Sequence, residues 1–467
     1  MSKINRHAHP ASADTPISEQ AVRLIEAAKK SGACHADALA ICDTGDSISV
    51  RNGQVESVER EDTQGLGLRA FVETPNGLAF ATASSSDVSE SGLNQLAEQV
   101  VAMARISEPD PDAVPPVGAS HPSADELTTW QQRHDHSDSG WNLEQAKDAA
   151  TACEEIARHY SADISNSEGA DASFGSTRVA YASGDGFAAE YARASASLSV
   201  SVIAGSGDGM QRDYAWHRAF HAADLRSPQQ IAEEAASRAV SRLHPGSIDS
   251  GEYPVIFEPR TATSLLGHLV SAINGRAVLQ QRSFLADRLN QSIFPDFVDI
   301  EDNPDHPDGM GNRLFDGEGT RCARNSIIEQ GRLNTFLTDR YVAQRLGQPE
   351  TGSASRGLTG DIGIGCANLI WHAGQRTQTE MFQALDHGLL VTELIGFGVN
   401  GVTGDYSRGA SGFLIENGRI SRPVQGITIA GNLNDMFANI AMVGSDLTWF
   451  GSTAAPSIAI SAMTVAG

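Results

Sequence analysis

Apolar positions Ile17, Ala21, Leu24, Ile25 and Ala28 recur at helical spacing between Thr15-Pro16 and Gly32. An N-cap residue, a proline at the first helical position and a closing glycine predict one amphipathic helix. The pattern then changes period. Short alternating runs cover 47–50, 55–59, 66–72 and 78–82, separated by Asn52-Gly53 and Pro75-Asn76-Gly77. Alternation punctuated by turn formers predicts a meander of antiparallel strands. A second helix is expected from Ser89 to about Ile106, with Leu93, Leu96, Ala97 and Val100 on one face. Helices against an antiparallel sheet make residues 15–106 an α+β domain, preceded by a disordered N-terminus over 1–14.

Residues 107–142 carry Pro109, Pro111 and Pro115-Pro116 among polar residues, and are expected to be a linker or long surface loop. A helix near Leu143–Tyr160 opens a middle α/β segment, 143–244. Strand-like stretches follow at 172–182, 187–204 and 211–221, and Ser227-Pro228 caps a helix to about Leu243. The third piece, 245–467, starts with a strand at Tyr253–Phe257 and a helix at Ala262–Ile273. Beyond Gly331 it reads as glycine-rich and mainly β. No internal repeat is visible along the chain. The fold class is therefore α+β, in three pieces.

Composition narrows the function. A length of 467 residues agrees with three domains at roughly 150 residues each. Lys and Arg total 34 against 58 Asp and Glu, a net charge of -24. Such a chain repels phosphate backbones and anionic lipid surfaces, so neither nucleic acid nor membrane is an expected partner. The N-terminal residues show no apolar stretch of a secretory signal, and no run approaches the ~18 apolar residues of a membrane span. Cys34, Cys42, Cys153, Cys322 and Cys366 are scattered, without a CxxC pair. A reducing cytoplasm is the expected compartment.

Several patterns resemble sites and fail on closer reading. Gly396-Phe-Gly398-Val-Asn-Gly401 matches GxGxxG, but a glycine-rich stretch follows where a dinucleotide site needs a helix. His217 and His221 have the i, i+4 spacing of zinc ligands, but in a strand-like segment. His134-Asp135-His136 sits in the polar linker, and Asp296–Asp308 lacks the spacing of a calcium loop. More informative is Asp405-Tyr406-Ser407-Arg408, set among glycines at 401, 404, 409 and 412. Glycines let the main chain approach a ligand, and Arg408 can grip a carboxylate in bidentate fashion. The alternative is a structured turn closed by an Asp405–Arg408 ion pair.

Long ordered segments resemble the TldD/PmbA family, in its PmbA (TldE) branch. They include Leu265-Leu-Gly-His-Leu-Val-Ser-Ala-Ile273, Phe315-Asp-Gly-Glu-Gly-Thr320, Leu337–Gly347, Val391–Gly412 and Ile427–Met436, with Asn52-Gly-Gln-Val-Glu56 in the first piece. The resemblance implies a two-subunit cytosolic metalloprotease acting on unfolded or flexible peptides and peptide precursors. Its TldD-type subunit carries HExxxH and a distal cysteine, which supply two imidazoles and a thiolate to zinc and a glutamate base. Gly267, His268 and Ala272 stand at the first His, the Glu and the second His, and no cysteine follows Cys366. The resemblance therefore implies no catalytic or metal residue in this chain, with zinc in the TldD-type partner of a heterodimer. His268, Asp405, Tyr406 and Arg408 become candidates for holding an extended peptide. The alternative is a stand-alone homodimeric peptide-binding or scaffold protein with no proteolytic role.

Overall fold

The computed structural model describes residues 16–134, 138–359 and 361–467. The expected disordered N-terminus, Thr15 and the Asp135-His136 dipeptide lie outside the described residues. Helix α1 (Ile17–Lys30) buries Ile17, Ala21, Leu24, Ile25 and Ala28, the stripe its spacing predicts. Strands β1 (His35–Arg51), β2 (Gln54–Thr74) and β3 (Gly77–Ser85) follow, then α2 (Glu90–Ile106), whose Ser89 cap accepts from the Gly92 amide. The runs 55–59 and 66–72 belong to one strand. The polar residues between them pair with β1 position for position, Glu59 with Ser47 through Gln64 with Cys42. Backbone ladders form regardless of side-chain polarity where both faces are wet.

The segment expected as a linker carries a helix, α3 (Ala124–Arg133), closed at its start by a Ser123–Glu126 capping box. Only Trp130 of this helix is buried, so it has no apolar stripe to betray it. The chain continues through α4 (Leu143–His159), β4 (Ile164–Ser183), β5 (Ala188–Ala204), β6 (Gln211–Ala219) and α5 (Pro228–Ser241). Helix, three strands, helix thus occurs twice. The two copies join: the strand order is β3-β2-β1-β4-β5-β6, and β1 runs antiparallel to β4 from Asp37↔Ser183 to Val50↔Ala170. Residues 15–106 and 143–244 are halves of one sheet. A repeat invisible in the sequence is plain in the architecture.

Four helices cover one face of this sheet. Ala38, Ala40, Leu68, Ala180 and Ala182 meet α1 and α2, while Ala172, Leu198, Val200 and Val202 meet α4 and α5. Small side chains let helices lie close, and each larger aliphatic group buried contributes about 1.5–3 kcal/mol. Alternate positions point the other way: Leu39 and Tyr181 pack against Phe315 of the third piece.

That third piece is mainly β, as expected. Its larger sheet places β7 (Gly251–Phe257) in the middle, parallel to Gly388–Ile395 and antiparallel to Ile458–Ala466, with Asp405–Glu416 and Arg419–Asn432 beyond the former. A second six-stranded sheet is built of short segments, among them Ile300–Asp302, so part of the expected solvated acidic loop is buried. Helix α6 (Pro259–Ile273) packs on the larger sheet through Leu265, Leu266, Leu269 and Ile273.

Candidate functional site

The Asp405–Arg408 cluster is not a turn. It opens the strand Asp405–Glu416, and strand residues three apart point to opposite faces. Asp405 is exposed and accepts from Thr403 Oγ1 (2.6 Å) and Asn432 Nδ2 (3.1 Å); those hydrogen bonds hold its carboxyl below the usual range. Arg408 lies inward with Tyr406. The expected Asp405–Arg408 pair does not form, and Asp405 leaves the candidate site.

The three remaining candidates converge. His268, on α6, meets the Tyr406 ring edge-on with centroids 5.9 Å apart. Burial pushes the His268 imidazole down, and the Arg408 guanidinium beside it pushes it further. Burial pushes the Tyr406 phenol up to about 12, against the pull of Arg408. His268 Nε2, Tyr406 Oη and Arg408 Nε are all buried without a hydrogen bond of good geometry, although Arg408 lies within hydrogen-bonding influence of the Tyr406 phenol.

Arg408 also lines a cavity of about 290 Å³ shared by the third piece and the sheet-and-helix layer. An arginine group missed in the sequence surrounds it. Asp213 of β6 receives Arg238 Nε (3.2 Å), Arg242 Nη1 (3.2 Å) and Arg260 Nη1 (3.4 Å). Arg238 forks onto both oxygens of Glu258 (2.7 and 3.0 Å), Arg260 reaches Glu234 (3.1 Å), and Arg242 pairs with Glu393. These residues come from β6, α5, α6 and a strand more than 150 positions away. Nothing local in the sequence links them.

The glycines around the cluster do two jobs. A Cβ on Gly412 would sit 1.8 Å from the Leu390 carbonyl oxygen, and one on Gly398 would sit 2.0 Å from that of Ser407. Those two serve strand packing, so Gly412 is not a point of ligand approach. No helix follows Gly401; the strand from Asp405 does, as the reading against a dinucleotide site requires.

The positions matching HExxxH do not fit a zinc ion. Gly267 is exposed with nothing within 4 Å of where a Cβ would stand, and Ala272 is a buried methyl. Neither offers a lone pair, and His268 sits beside a cation. His217 lies on β6 with its Nδ1 facing the Arg226 amide at 3.2 Å, and His134 bonds Asp305 at 2.7 Å. Neither belongs to a cluster of three or more His, Cys, Asp or Glu side chains able to hold a metal among the described residues.

Comparison with known proteins identifies one family along the chain. Models of the PmbA/TldA metallopeptidase family match as domain 1 over 43–104, central domain over 137–243 and C-terminal domain over 250–467. The Metalloprotease PmbA of Escherichia coli O157:H7 is 35% identical over 437 residues, covering 91% of this chain and 90% of the relative. A Metalloprotease PmbA homolog of Haemophilus influenzae is 32% identical over 452 residues, 95% of this chain and 94% of its own. The crystal structure of TldE from Thermococcus kodakarensis superposes with a TM-score of 0.83 at 19% identity, covering 96% of this chain and 100% of that one. That likeness establishes the fold.

Proposed function

The chain belongs to the PmbA/TldD metallopeptidase family, and on that premise we propose that it is the zinc-free subunit of a heteromeric, cytoplasmic TldD/TldE-type protease. The carrying observation is α6, where Gly267 and Ala272 replace both imidazole ligands of HExxxH. Zinc and the general base belong to a TldD-type partner; this chain helps to enclose and hold an extended peptide. Two surfaces support the reading. Ile395 at the end of its strand and Phe397 and Val402 on the loop that follows stand more than half exposed, with Phe397 at 99%, an apolar surface suited to a protein partner. Residues 54–65 of β2 extend beyond β3, which begins pairing at Leu66, and leave an open sheet edge that can take main-chain hydrogen bonds from a peptide. No helix among the described residues is long and apolar enough to cross a membrane.

Peptidase activity and zinc content, measured for this chain alone, for a TldD-type partner alone and for the mixture, test the assignment. Turnover that rises on mixing, with well under one zinc per copy of this chain, is the expected result. Stoichiometric zinc and turnover in this chain alone overturn it. A mixture no more active than the partner points instead to the homodimeric scaffold.

A further inference from the structure

Ten buried side-chain nitrogen or oxygen atoms among the described residues have no hydrogen-bond partner. Five of them, His268 Nε2, Thr392 Oγ1, Tyr406 Oη, Arg408 Nε and Ser411 Oγ, lie on α6 and on the paired strands Gly388–Ile395 and Asp405–Glu416. Buried polar groups are almost always satisfied, so half the orphans of a long chain falling on three neighbouring elements calls for a cause. Three of the five are hydroxyls, which donate or accept, and Arg408 Nε can only donate. What Arg408 Nε lacks is an acceptor.

Arg408 and Thr392 line the same 290 Å³ cavity. Thr392 sits at the irregularity where the register slips between Val391 and Glu393, a bulge that re-aims a side chain. The acids of the neighbourhood are spoken for: Asp213, Glu258 and Glu393 each hold Arg238 or Arg242, and Glu234 holds Arg260. Arg408 alone among the cavity's arginines has no carboxylate. Water can satisfy its N–H groups but supplies no opposite charge. A planar group with two anionic oxygens satisfies both needs, and the fork geometry of a guanidinium matches it. Four of the five lining arginines are thus balanced by carboxylates, and the charge left over for a ligand is that of Arg408.

We propose that this cavity is a carboxylate subsite, in which Arg408 and Thr392 grip either the C-terminal carboxylate of a peptide or the side chain of one of its Asp or Glu residues. Its volume, at the low end for ligand pockets, admits one residue rather than a length of chain. Thr261 and Ser264 of α6 line it, and His268 continues the same helical stripe, so the bound group lies within about two turns of Gly267. The subsite rests on the peptide-holding part of the functional reading.

Binding to the isolated chain tests it without recourse to turnover, so its failure leaves the heteromeric assignment untouched. Calorimetric titration compares acetyl-trialanine as the free acid, the same peptide as its amide, and the amide of acetyl-Ala-Glu-Ala. The free acid, the Glu amide or both are expected to bind at least about tenfold more tightly than the plain amide, and which of them does so identifies the source of the carboxylate. Arg408→Gln is expected to abolish that preference, and Thr392→Val to reduce it several-fold, with melting temperature unchanged or raised because an uncompensated charge is removed. Equal affinity for all three peptides, no binding at millimolar concentration, or a preference that survives Arg408→Gln overturns the proposal. A lowered melting temperature with the preference intact also overturns it, by making Arg408 structural.

Discussion

Two buried polar clusters in this molecule each combine a tyrosine with arginine and differ in whether the arginine charge meets a carboxylate. At the junction of the large sheet with the third piece, Asp37 of β1 receives Arg69 Nη2 at 2.6 Å, Arg356 Nη1 at 2.8 Å and Tyr181 Oη at 3.1 Å. Arg69 also reaches Glu318 at 3.2 Å, and Glu318 accepts the Arg340 amide at 2.9 Å. Burial alone would raise the Asp37 carboxyl, but Arg356 and Arg69 outweigh it and hold the group ionised. Every charge there meets an opposite charge. Around His268, Tyr406 and Arg408 the charge has no counterpart. Even with Arg356 Nη2 unpartnered, the first network balances its charges and fastens two parts of the fold; the second leaves an arginine charge unbalanced.

Removing Asp37 should produce the largest effect. Asp37→Ala strips Arg356 of its carboxylate and half of Arg69's, and breaking a buried pair from one side costs about 3–5 kcal/mol. Chemical denaturation measures this, and a loss below about 1 kcal/mol would erase the contrast between the clusters. A pH effect comes next. Burial, with the charge of Glu318 adding to it, pushes Asp316 up to about 7 from 3.8, against three amide donors at 2.9–3.0 Å. A raised carboxyl stabilises the fold fully below its unfolded value and loses that contribution as pH rises to its folded value. Stability should therefore fall by about 1.4 kcal/mol per pH unit from this group between roughly pH 4 and 7. Asp316→Asn should flatten that slope in denaturation curves; an unchanged slope assigns it to other groups.

The sharpest comparison deletes the same hydroxyl twice. Tyr181→Phe removes a donor to a charged, fully buried carboxylate and should cost about 1.5–3 kcal/mol. Tyr406→Phe removes a hydroxyl with no well-formed hydrogen bond, its neighbouring donor being Arg408, and should cost under about 0.5 kcal/mol, or stabilise slightly. Equal losses in the two variants would show that the second network is closed too. Gly267→Ala belongs at the small end. An exposed glycine in mid-helix with open space at its Cβ should gain about 0.5–1 kcal/mol on substitution, read as a higher melting temperature. Should turnover of the reconstituted protease fall as well, that space is occupied in the complex.

The helices were legible because their information is local. Spacing and caps give α1, α2, α4 and α5 within a few residues at each end, and the family motifs mark the strand that carries Arg408. Ser123-x-x-Glu126 also announced α3, but the prolines before it and the lack of an apolar stripe hid the signal. What could not be read is pairing at a distance. No local rule says that Asp37 lies opposite Ser183, or that Arg238, Arg242 and Arg260 gather on Asp213. The chemistry of Arg408 suits a carboxylate, but the pairing with Asp405 fails on strand geometry, because residues three apart on a strand face opposite ways.

The β1–β4 seam sets a timetable for synthesis. When the ribosome has released α2, the first helix-and-strand unit is complete in sequence, yet the inner edge of β1 stays bare until Ser183 emerges, 77 residues after Ile106. At about 5–20 residues per second that interval lasts several seconds. Throughout it, alternate residues from Asp37 to Val50 offer unpaired amides and carbonyls to any neighbouring strand. Nascent chains on one message are thus exposed to swapping β4 between them, and a slow stretch of translation between the two units would lengthen the hazard.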